Sequence, residues 1–441
     1  MPRTPGAASS ARIFANAGAS VPNFCADARM TGSGGHNPEV LCADLVVLGG
    51  GLTGLTLACA VAGAGIEVLL VEREPYEKLL AAPYDGRVMA VARASKALLE
   101  AIGAWEGMAA EAEPIRAIRV EEGGMPVAVD YDPAEIDGAP LGWIVETRVI
   151  RRALHARLQE LAPESILAPA RYAEIETGCA QVQIRLTDGR RLAAPLLAVC
   201  EGRHTPLREQ LGIGARRWSY GQTGIVCTLG HERPHHGLAI ERFFPDGPFA
   251  VLPMKGDRSS IVWALENEAA RSLRALSEGE FLAEVAARFG DRLGGIELLS
   301  PRWFHPLVLV WSERYAGDRI ALVGDSARGV HPIAGQGWNL ALRDVAAIAE
   351  IVVDRLRLGL DPGDRMALED YEAWRRFDSL TLVAITDGIN RLFANDLAPL
   401  RLARNAGLWL VERTPPLKRF FMRHAMGLLG ELPRLMRGQP L

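Results

Sequence analysis

The order of apolar and polar positions predicts a strand, a helix and a second strand early in the chain. Residues 44–48 read as a buried strand, because the stretch is largely apolar and β-branched and stops at a glycine. An apolar helix follows, and a second strand is predicted at 67–71, where it runs into Glu72. A membrane-spanning helix over 45–66 is the alternative, since no charge lies in these 22 residues. Six glycines in that stretch and the acid beyond it argue against this alternative.

Farther along the chain, the periodicity changes twice. Residues 215–310 contain alternating runs that predict an antiparallel sheet, with one helix near 277–289. From 319 to 353 a strand, a glycine turn and a long helix return, and 364–441 has helical spacing. Strand–helix units interrupted by an antiparallel sheet predict an α/β fold, in which a Rossmann-like nucleotide-binding domain carries an inserted sheet domain and C-terminal helices follow.

We divide the chain into four predicted regions at these changes of pattern. The first residues are rich in Ala, Gly, Ser and Pro and have no sustained period, so we expect a disordered leader. Its basic, acid-free start also fits a mitochondrial transit peptide, and Met30 is an alternative start of translation. The boundaries are 1–40 for the leader, 41–114, 146–212 and 301–365 for the nucleotide-binding domain, 115–145 and 213–300 for the substrate-binding sheet domain, and 366–441 for the helical region.

Composition narrows the class of protein. With 441 residues, 49% hydrophobic and 23% charged, the chain resembles an ordinary soluble globular protein that can bury a large core. A net charge of −4 gives no case for nucleic acid as a partner. The six cysteines form no CxxC pair and no metal spacing, so we expect buried thiols in a reducing compartment and no metal. His231, His235 and His236 are expected to be solvated loop residues and not metal ligands.

The turn between the first strand and the first helix carries candidate chemistry. Its pattern is Gly49-x-Gly51-x-x-Gly54, and the acid Glu72 ends the next strand. The first glycine suits a tight turn, the second lets a pyrophosphate approach the backbone, and the third lets helix pack on strand. The acid would accept ribose hydroxyls, which favours FAD or NAD over a 2′-phosphorylated nucleotide. Free N–H groups at the start of the helix would bind the phosphates.

Further stretches resemble a known family. They are 85–87 (DGR), 199–208 (VCEGRHTPLR), 242–250 (RFFPDGPFA), 319–327 (RIALVGDSA) and 331–344 (HPIAGQGWNLALRD). With the glycine turn, they resemble the FAD-dependent aromatic monooxygenases of the p-hydroxybenzoate hydroxylase fold, and among these the ubiquinone-biosynthesis ring hydroxylases. The resemblance covers about residues 43–430. It implies that FAD is the cofactor and that NAD(P)H or another donor is the reductant.

The resemblance also implies which residues hold the cofactor. Asp325 would lie against the ribityl and pyrophosphate region, and Gly335 and Gly337 would let the backbone lie against the flavin ring. The helix beginning near Asn339 would point its positive end at the flavin, with a cap as the alternative role of Asn339. The predicted cofactor-binding residues are Gly49, Gly51, Gly54, Glu72, Arg73, Arg87, Arg151, Gly324, Asp325, Gly335, Gln336, Gly337 and Asn339.

No catalytic side chain is predicted, because the chemistry belongs to the flavin. Arg87, Pro332 and Gln336 are the candidates near its ring. For Arg87 and Arg151, a solvated surface position is the alternative. The chain departs from the family at Glu201, where the family has an aspartate tied to both FAD and NADPH contact.

The function implied by the resemblance is hydroxylation of the aromatic ring of a polyprenylated phenol in ubiquinone biosynthesis, with O2 and a C4a-hydroperoxyflavin. The implied partners are the lipophilic phenol, O2 and a ubiquinone-biosynthesis complex. A hydroxylase of the same fold that acts on a soluble aromatic or secondary metabolite is the alternative, and a flavoprotein scaffold without turnover is another. The expected location is the cytoplasm, including the inner face of the membrane, or the mitochondrial matrix in a eukaryote.

The C-terminal segment 401–441 mixes basic and apolar residues. Seven arginines and one lysine stand against two glutamates, and leucines, phenylalanines and methionines are interleaved with them. This pattern is typical of a helix that lies on an anionic membrane surface. Helices that pack on the protein's own core, with arginines outward, are the alternative.

Overall fold

The computed structural model describes residues 40–123, 128–329, 335–393 and 398–441. The predicted leader therefore lies outside the described residues, apart from its last position. The helices are α1 (Leu52–Gly63), α2 (Tyr76–Leu80), α3 (Arg93–Ala101), α4 (Glu106–Ala109), α5 (Thr147–Leu161), α6 (Leu207–Gln210), α7 (Asn267–Ala275), α8 (Glu278–Phe289), α9 (Gln336–Arg357), α10 (Arg365–Phe393), α11 (Ala398–Arg413) and α12 (Pro415–Ala425).

The strands form four sheets among the described residues. They are β1 (Val40–Cys42), β2 (Leu45–Leu48), β3 (Val68–Val71), β4 (Val88–Ala92), β5 (Glu113–Ile115), β6 (Ala117–Glu122), β7 (Ala128–Tyr131), β8 (Gly142–Glu146), β9 (Ile166–Leu167), β10 (Tyr172–Thr177), β11 (Val182–Leu186), β12 (Arg191–Ala194), β13 (Leu196–Val199), β14 (Ala215–His231), β15 (Leu238–Phe244), β16 (Gly247–Met254), β17 (Arg258–Glu266), β18 (Ile296–Leu298), β19 (Trp303–Ser312), β20 (Ala316–Gly317), β21 (Ile320–Leu322) and β22 (Arg328–Gly329).

A six-stranded sheet forms the centre of the first domain, in the order β20-β21-β13-β2-β3-β9. All neighbours from β21 to β9 run parallel, and β20 is antiparallel to β21. Every residue of β2 is buried, as expected for a strand inside a parallel sheet that is covered on both faces. The helix α1 packs on β2 and β3 and also contacts α5 and α9. The predicted strand–helix–strand unit is thus confirmed, and the stretch 45–66 is not one long helix.

A nine-stranded sheet forms the second domain. Its order is β22-β19-β14-β17-β16-β15-β6-β7, and β18 pairs with β14 beside this path. The pairs are antiparallel except β15 with β6. This is the predicted antiparallel sheet inserted into an α/β domain.

One predicted boundary differs from the observed sheet. The boundary predicted at 301 would place β19 in the nucleotide-binding domain, but β19 pairs with β14 in the nine-stranded sheet. The reason is that β14 is long. It has 17 residues, and β19 pairs with it both before and after an irregularity between Ser219 and Thr223. The strand β8 lies within the predicted sheet domain, but it is not part of the nine-stranded sheet, because it pairs with β4 and β5 in a separate three-stranded sheet.

The two faces of the nine-stranded sheet have different neighbours. On one face, α7 and α8 cover a core that includes Ile240, Phe249, Trp263 and Phe281. On the other face, Ala239 and Met254 pack with residues of β4 and α12. We call these the helix-covered face and the cavity face.

The C-terminal region is helical, as predicted. The helix α10 packs against α9, and α11 contacts both β7 and α12. Within the described ranges, we find no helix whose length and apolar character would let it cross a bilayer.

Candidate cofactor site

The glycine turn after β2 has the geometry that a bound nucleotide needs. Gly49 has a φ of +100°, and a Cβ there would lie 2.8 Å from the carbonyl oxygen of Cys200. A Cβ on Gly54 would lie 1.9 Å from the Gly49 oxygen, so only glycine lets α1 pack so closely on the turn. A Cβ on Gly51, in contrast, would meet no atom within 4 Å. Gly51 is also the N-cap of α1 and has no side-chain cap, so the turn faces open space with free N–H donors.

Glu72 lies beside this turn at the end of β3. One carboxylate oxygen accepts a 2.7 Å hydrogen bond from the Gly50 N–H, and the other accepts one of 2.9 Å from the Glu74 N–H. The Tyr76 hydroxyl donates to the Gly50 oxygen at 2.9 Å. Glu72 therefore shapes the turn, and its remaining lone pairs are free to accept ribose hydroxyls. No feature of the sequence pattern indicated the contact of Tyr76.

The loop after β21 brings the second predicted motif next to the first. Gly324 has a φ of +64°, and a Cβ there would lie 3.0 Å from both Thr53 Cγ2 and Ala341 Cβ. The loop thus packs on the first turn of α1 and on α9. Asp325 is half-buried and makes no hydrogen bond with the described residues. Burial raises the pKa of its carboxyl, and the charges of Arg203 and Arg328 oppose that rise.

A buried ion cluster holds this loop in place. We call it the Asp344 cluster, and it comprises Asp344, Arg328, Arg375 and the N–H of Gly324. One oxygen of Asp344 lies 2.7 Å from nitrogens of both arginines, and the other accepts a 3.0 Å hydrogen bond from the Gly324 N–H. The three side chains are at most 1% exposed. The arginine partners come from β22 and α10, which are distant in sequence, so the pattern did not reveal them.

The helix α9 starts earlier than predicted. Gly335, with a φ of +61°, is its N-cap, and the first helical residue is Gln336, not a residue near Asn339. A Cβ on Gly335 would lie 2.9 Å from Ala90 Cβ, so this helix end lies against β4. Gln336 and Gly337 are half-buried in the first turn. The first turn of α9 therefore contacts β4, which packs on the cavity face. Pro332 lies outside the described residues.

Asn339 does not cap the helix, which corrects the alternative role predicted for it. Its Oδ1 accepts hydrogen bonds from the Ala92 N–H at 2.9 Å and the Ser95 hydroxyl at 2.7 Å, and its Nδ2 donates to the Ala90 oxygen at 2.8 Å. The physical reason is that Asn339 lies one turn inside α9, where its amide faces the backbone of β4. Asn339 thus fixes the position of the helix start.

The three predicted arginines lie in different surroundings. Arg87 is exposed and its Nε donates to Asp85 at 2.8 Å. Arg151 is half-buried and donates to the Leu79 oxygen at 3.1 Å. Burial lowers the pKa of Arg151, and the charge of Arg87 lowers it further, so the two guanidinium groups are near each other. Arg73 is exposed at the end of β3.

Glu201, the departure from the family pattern, lies at the same sheet edge. It accepts a 2.7 Å hydrogen bond from the Thr205 hydroxyl. Burial raises the pKa of its carboxyl, the Thr205 bond and the charge of Arg73 lower it, and the charge of Glu72 raises it. The carboxylate is therefore close to the residues that end β3. This edge, at the carboxyl ends of parallel strands, is where α/β sheets bind nucleotides.

Two of the three histidines that were expected to be solvated are buried. His231 and His235 are each 8% exposed, so they are not solvated. His231 bonds to the Arg233 oxygen at 2.8 Å and His235 to the Met254 oxygen at 2.7 Å, which explains their burial at the end of the sheet. Among the described residues, no group of His, Cys, Asp or Glu could hold a metal ion.

Known proteins resemble the chain over most of its length. Residues 42–377 match the FAD binding domain family. The ubiquinone hydroxylase UbiL of Rhodospirillum rubrum is 50% identical over 397 residues, which cover 89% of this chain and 92% of that protein. The 3-demethoxyubiquinol 3-hydroxylase of Escherichia coli is 31% identical, with 86% and 97% covered. The p-nitrophenol 4-monooxygenase PnpA from Pseudomonas putida DLL-E4 has the same fold, with a TM-score of 0.73 at 18% identity over 89% of this chain and 100% of that chain.

These matches agree with the geometry of the turn, the loop and the helix start. The open space at Gly51, the free donors of α1 and the unpartnered Asp325 carboxylate fit the phosphates and hydroxyls of FAD, and FAD is the cofactor. The resemblance inferred from the motifs is confirmed. The chain belongs to the family of FAD-dependent monooxygenases that includes the ubiquinone hydroxylases.

Proposed function

We propose that the protein hydroxylates the aromatic ring of a polyprenylated phenol in ubiquinone biosynthesis. The observation that carries this proposal is the 50% identity to the ubiquinone hydroxylase of Rhodospirillum rubrum across nine-tenths of the chain. The cofactor, when bound, would pass two electrons from the reductant to O2, so that one oxygen atom of O2 enters the ring and the other leaves as water. NAD(P)H is the proposed reductant.

The residues of this chain position the cofactor and its surroundings. The turn at Gly51 would bind the pyrophosphate, Glu72 the ribose, and Asp325 the ribityl hydroxyls. The first turn of α9 would direct its N–H groups and positive dipole end at the flavin ring, where they stabilise negative charge. Arg87 and Arg151 would add positive charge on the side of Glu72 and Asp85.

Complementation tests the substrate. The gene is expressed in strains that are each blocked at one ring position of ubiquinone, and the quinone intermediates are identified by mass. We expect ubiquinone to return in at least one strain. If purified protein holds FAD but no strain recovers, the substrate is a different aromatic compound, such as a soluble metabolite.

We also propose that the C-terminal helices contact an anionic membrane surface, where a polyprenylated phenol is dissolved. Apolar and basic side chains are exposed together on α11 and α12, which pack against each other. We call these exposed side chains the basic aromatic patch, which comprises Trp409, Leu410, Phe420, Phe421, Arg413, Arg419 and Arg423. Trp409 is 51% exposed and Phe420 50%, and the guanidinium of Arg413 lies 4.9 Å from the Trp409 ring. Aromatic rings beside arginines are typical of membrane-surface helices.

Flotation with vesicles tests this contact. The variant carries serine at Trp409, Leu410, Phe420 and Phe421, all of which are exposed, so the fold is preserved. A truncation is less suitable, because Met422 and Met426 of the same region are buried. We expect the wild type to float with phosphatidylglycerol vesicles and the variant to remain in solution. Leu358→Ser, at a residue that is 74% exposed after α9, is the control, and equal flotation of all three proteins would refute the contact.

A further inference from the structure

One row of paired residues crosses the cavity face of the nine-stranded sheet. We call it the open row: Val120, Glu241, Ala250, Val262, Val226 and Trp303, each in register with the next on the neighbouring strand. Directly paired residues project from the same face of a sheet. The residues that alternate with them, such as Ile240 and Ile261, belong to the core under α7 and α8.

Most side chains of the open row remain partly exposed in the middle of the sheet. All its residues are partly accessible except Ala250, which is 8% exposed. Residues two positions along the same strands, such as Phe243, Pro248 and Ser260, are buried. We take this row of accessible side chains between buried neighbours as the floor of a ligand site. Three valines and one alanine make up four of its six side chains, and such small side chains favour a flat ligand above them.

This floor lies near the residues that surround the predicted cofactor site. On the same face, Tyr84, Val88 and Ala90 pack into the cluster that includes Ala239 and Met254. Ala90 is the residue against which Gly335 lies, at the start of α9. At the other end of the row, Trp303 lies so close to Gly86 that a Cβ there would be 2.2 Å from its ring. The face that carries the open row therefore contacts the segment 84–90, against which the start of α9 lies on the predicted flavin side.

Glu241 is the single ionisable residue of the open row. It makes no hydrogen bond or ion pair with the described residues. Glu122, a carboxyl two positions farther along the same face, differs, because it accepts a 2.8 Å hydrogen bond from Arg404. Burial alone raises the pKa of Glu241 from 4.5 to about 8. A half-buried carboxyl without a partner destabilises the protein on its own, so a ligand is the natural source of its missing hydrogen bond.

We propose that Glu241 accepts a hydrogen bond from the phenolic hydroxyl of a ring lying on the open row, and that it takes the proton of that hydroxyl as the ring is hydroxylated. This role rests on the proposed function. In the proton step, the phenol O–H bond breaks, its electron pair stays on the phenol oxygen, and the carboxylate becomes a carboxylic acid. A phenolate donates more electron density to the ring carbon that is attacked. A carboxylate whose pKa is raised toward that of a phenol is the better base for this step.

The experiment compares two ligands on the FAD-loaded full chain. The probes are a phenol with one prenyl group and its methyl ether, and binding is measured by the change in the flavin absorption spectrum. At a pH above 8, where the Glu241 carboxyl is ionised, we expect the wild type to bind the phenol about tenfold or more tightly than the ether, since a hydrogen bond to a charged group has this effect. Glu241→Leu should remove the preference. Glu241→Gln should keep part of it, because an amide oxygen still accepts, but should hydroxylate the phenol more slowly.

Matched controls separate this role from a structural one. Glu122→Gln, at the partnered carboxyl, should lower the thermal stability and leave the preference for the phenol unchanged. Glu241→Leu should be at least as stable as the wild type, because it removes an unpartnered carboxyl. A Glu241→Leu protein that still prefers the phenol would overturn the role of Glu241 and leave the proposed function standing. A wild type that binds neither probe would overturn the proposed function, and this role with it.

Discussion

The two faces of the nine-stranded sheet are built from the same strands but differ in how their side chains are packed. On the helix-covered face, Phe249 and Trp263 meet edge to face with ring centroids 5.6 Å apart, and Phe281 of α8 is fully buried against them. On the cavity face, the open row carries three valines, one alanine, Trp303 and one unpartnered acid. Close packing supplies stability, whereas a row that is left open sacrifices contacts for a ligand. Residues on the first face should therefore govern unfolding, and those on the second should govern binding.

The largest expected effect is on the helix-covered face. Phe281→Ala should lower the free energy of unfolding by about 3–5 kcal/mol, because it leaves a cavity among buried side chains. Denaturant unfolding followed by fluorescence measures this change. Leu299→Ala, at a residue that is 47% exposed, is the control and should have little effect. A Phe281→Ala protein as stable as the control would remove the distinction between the faces.

Added volume should affect the two faces differently. Val251→Phe, on the helix-covered face, should lower the free energy of unfolding by about 1–3 kcal/mol through overpacking. Val262, on the next strand, belongs to the open row and is half-buried, so Val262→Phe should cost less stability. The same change should weaken binding of the prenylated phenol by about tenfold or more, as the ligand loses that space. Equal losses of stability in both variants, measured by thermal unfolding, would show that the row is not open.

The smallest effect is a dependence of stability on pH. Because the pKa of Glu241 is raised in the folded protein, the folded state binds more protons than the unfolded state between pH 4.5 and about 8. The contribution of Glu241 to the free energy of unfolding therefore falls as pH rises through this range. Glu241→Gln should match the wild type below this range and be the more stable protein above it, with a small difference because the carboxylate keeps some contact with water. A difference that does not vary with pH would contradict the raised pKa.

The parts of the site that the sequence predicted are local. The turn at Gly49–Gly54 could be predicted, because its geometry depends on a few neighbouring residues, and the loop at Gly324 could be predicted from a continuous motif. The sequence did not show the Asp344 cluster, since its arginines come from separate elements. The open row was equally hidden, because it depends on the register of six strands. Glu241 directly precedes a recognised stretch, 242–250, but alternation alone could not say that its neighbours across the sheet are small.

The Asp344 cluster has a consequence for how the protein responds to its cofactor. The cluster connects two parts of the chain: the loop at Gly324, which would bind the flavin, and α10, after which the C-terminal helices follow. Any ligand that binds the native form of this loop shifts the folding equilibrium of the helix as well, by mass action. Occupancy of the nucleotide site should therefore slow the proteolysis of α10 and of the helices that follow it.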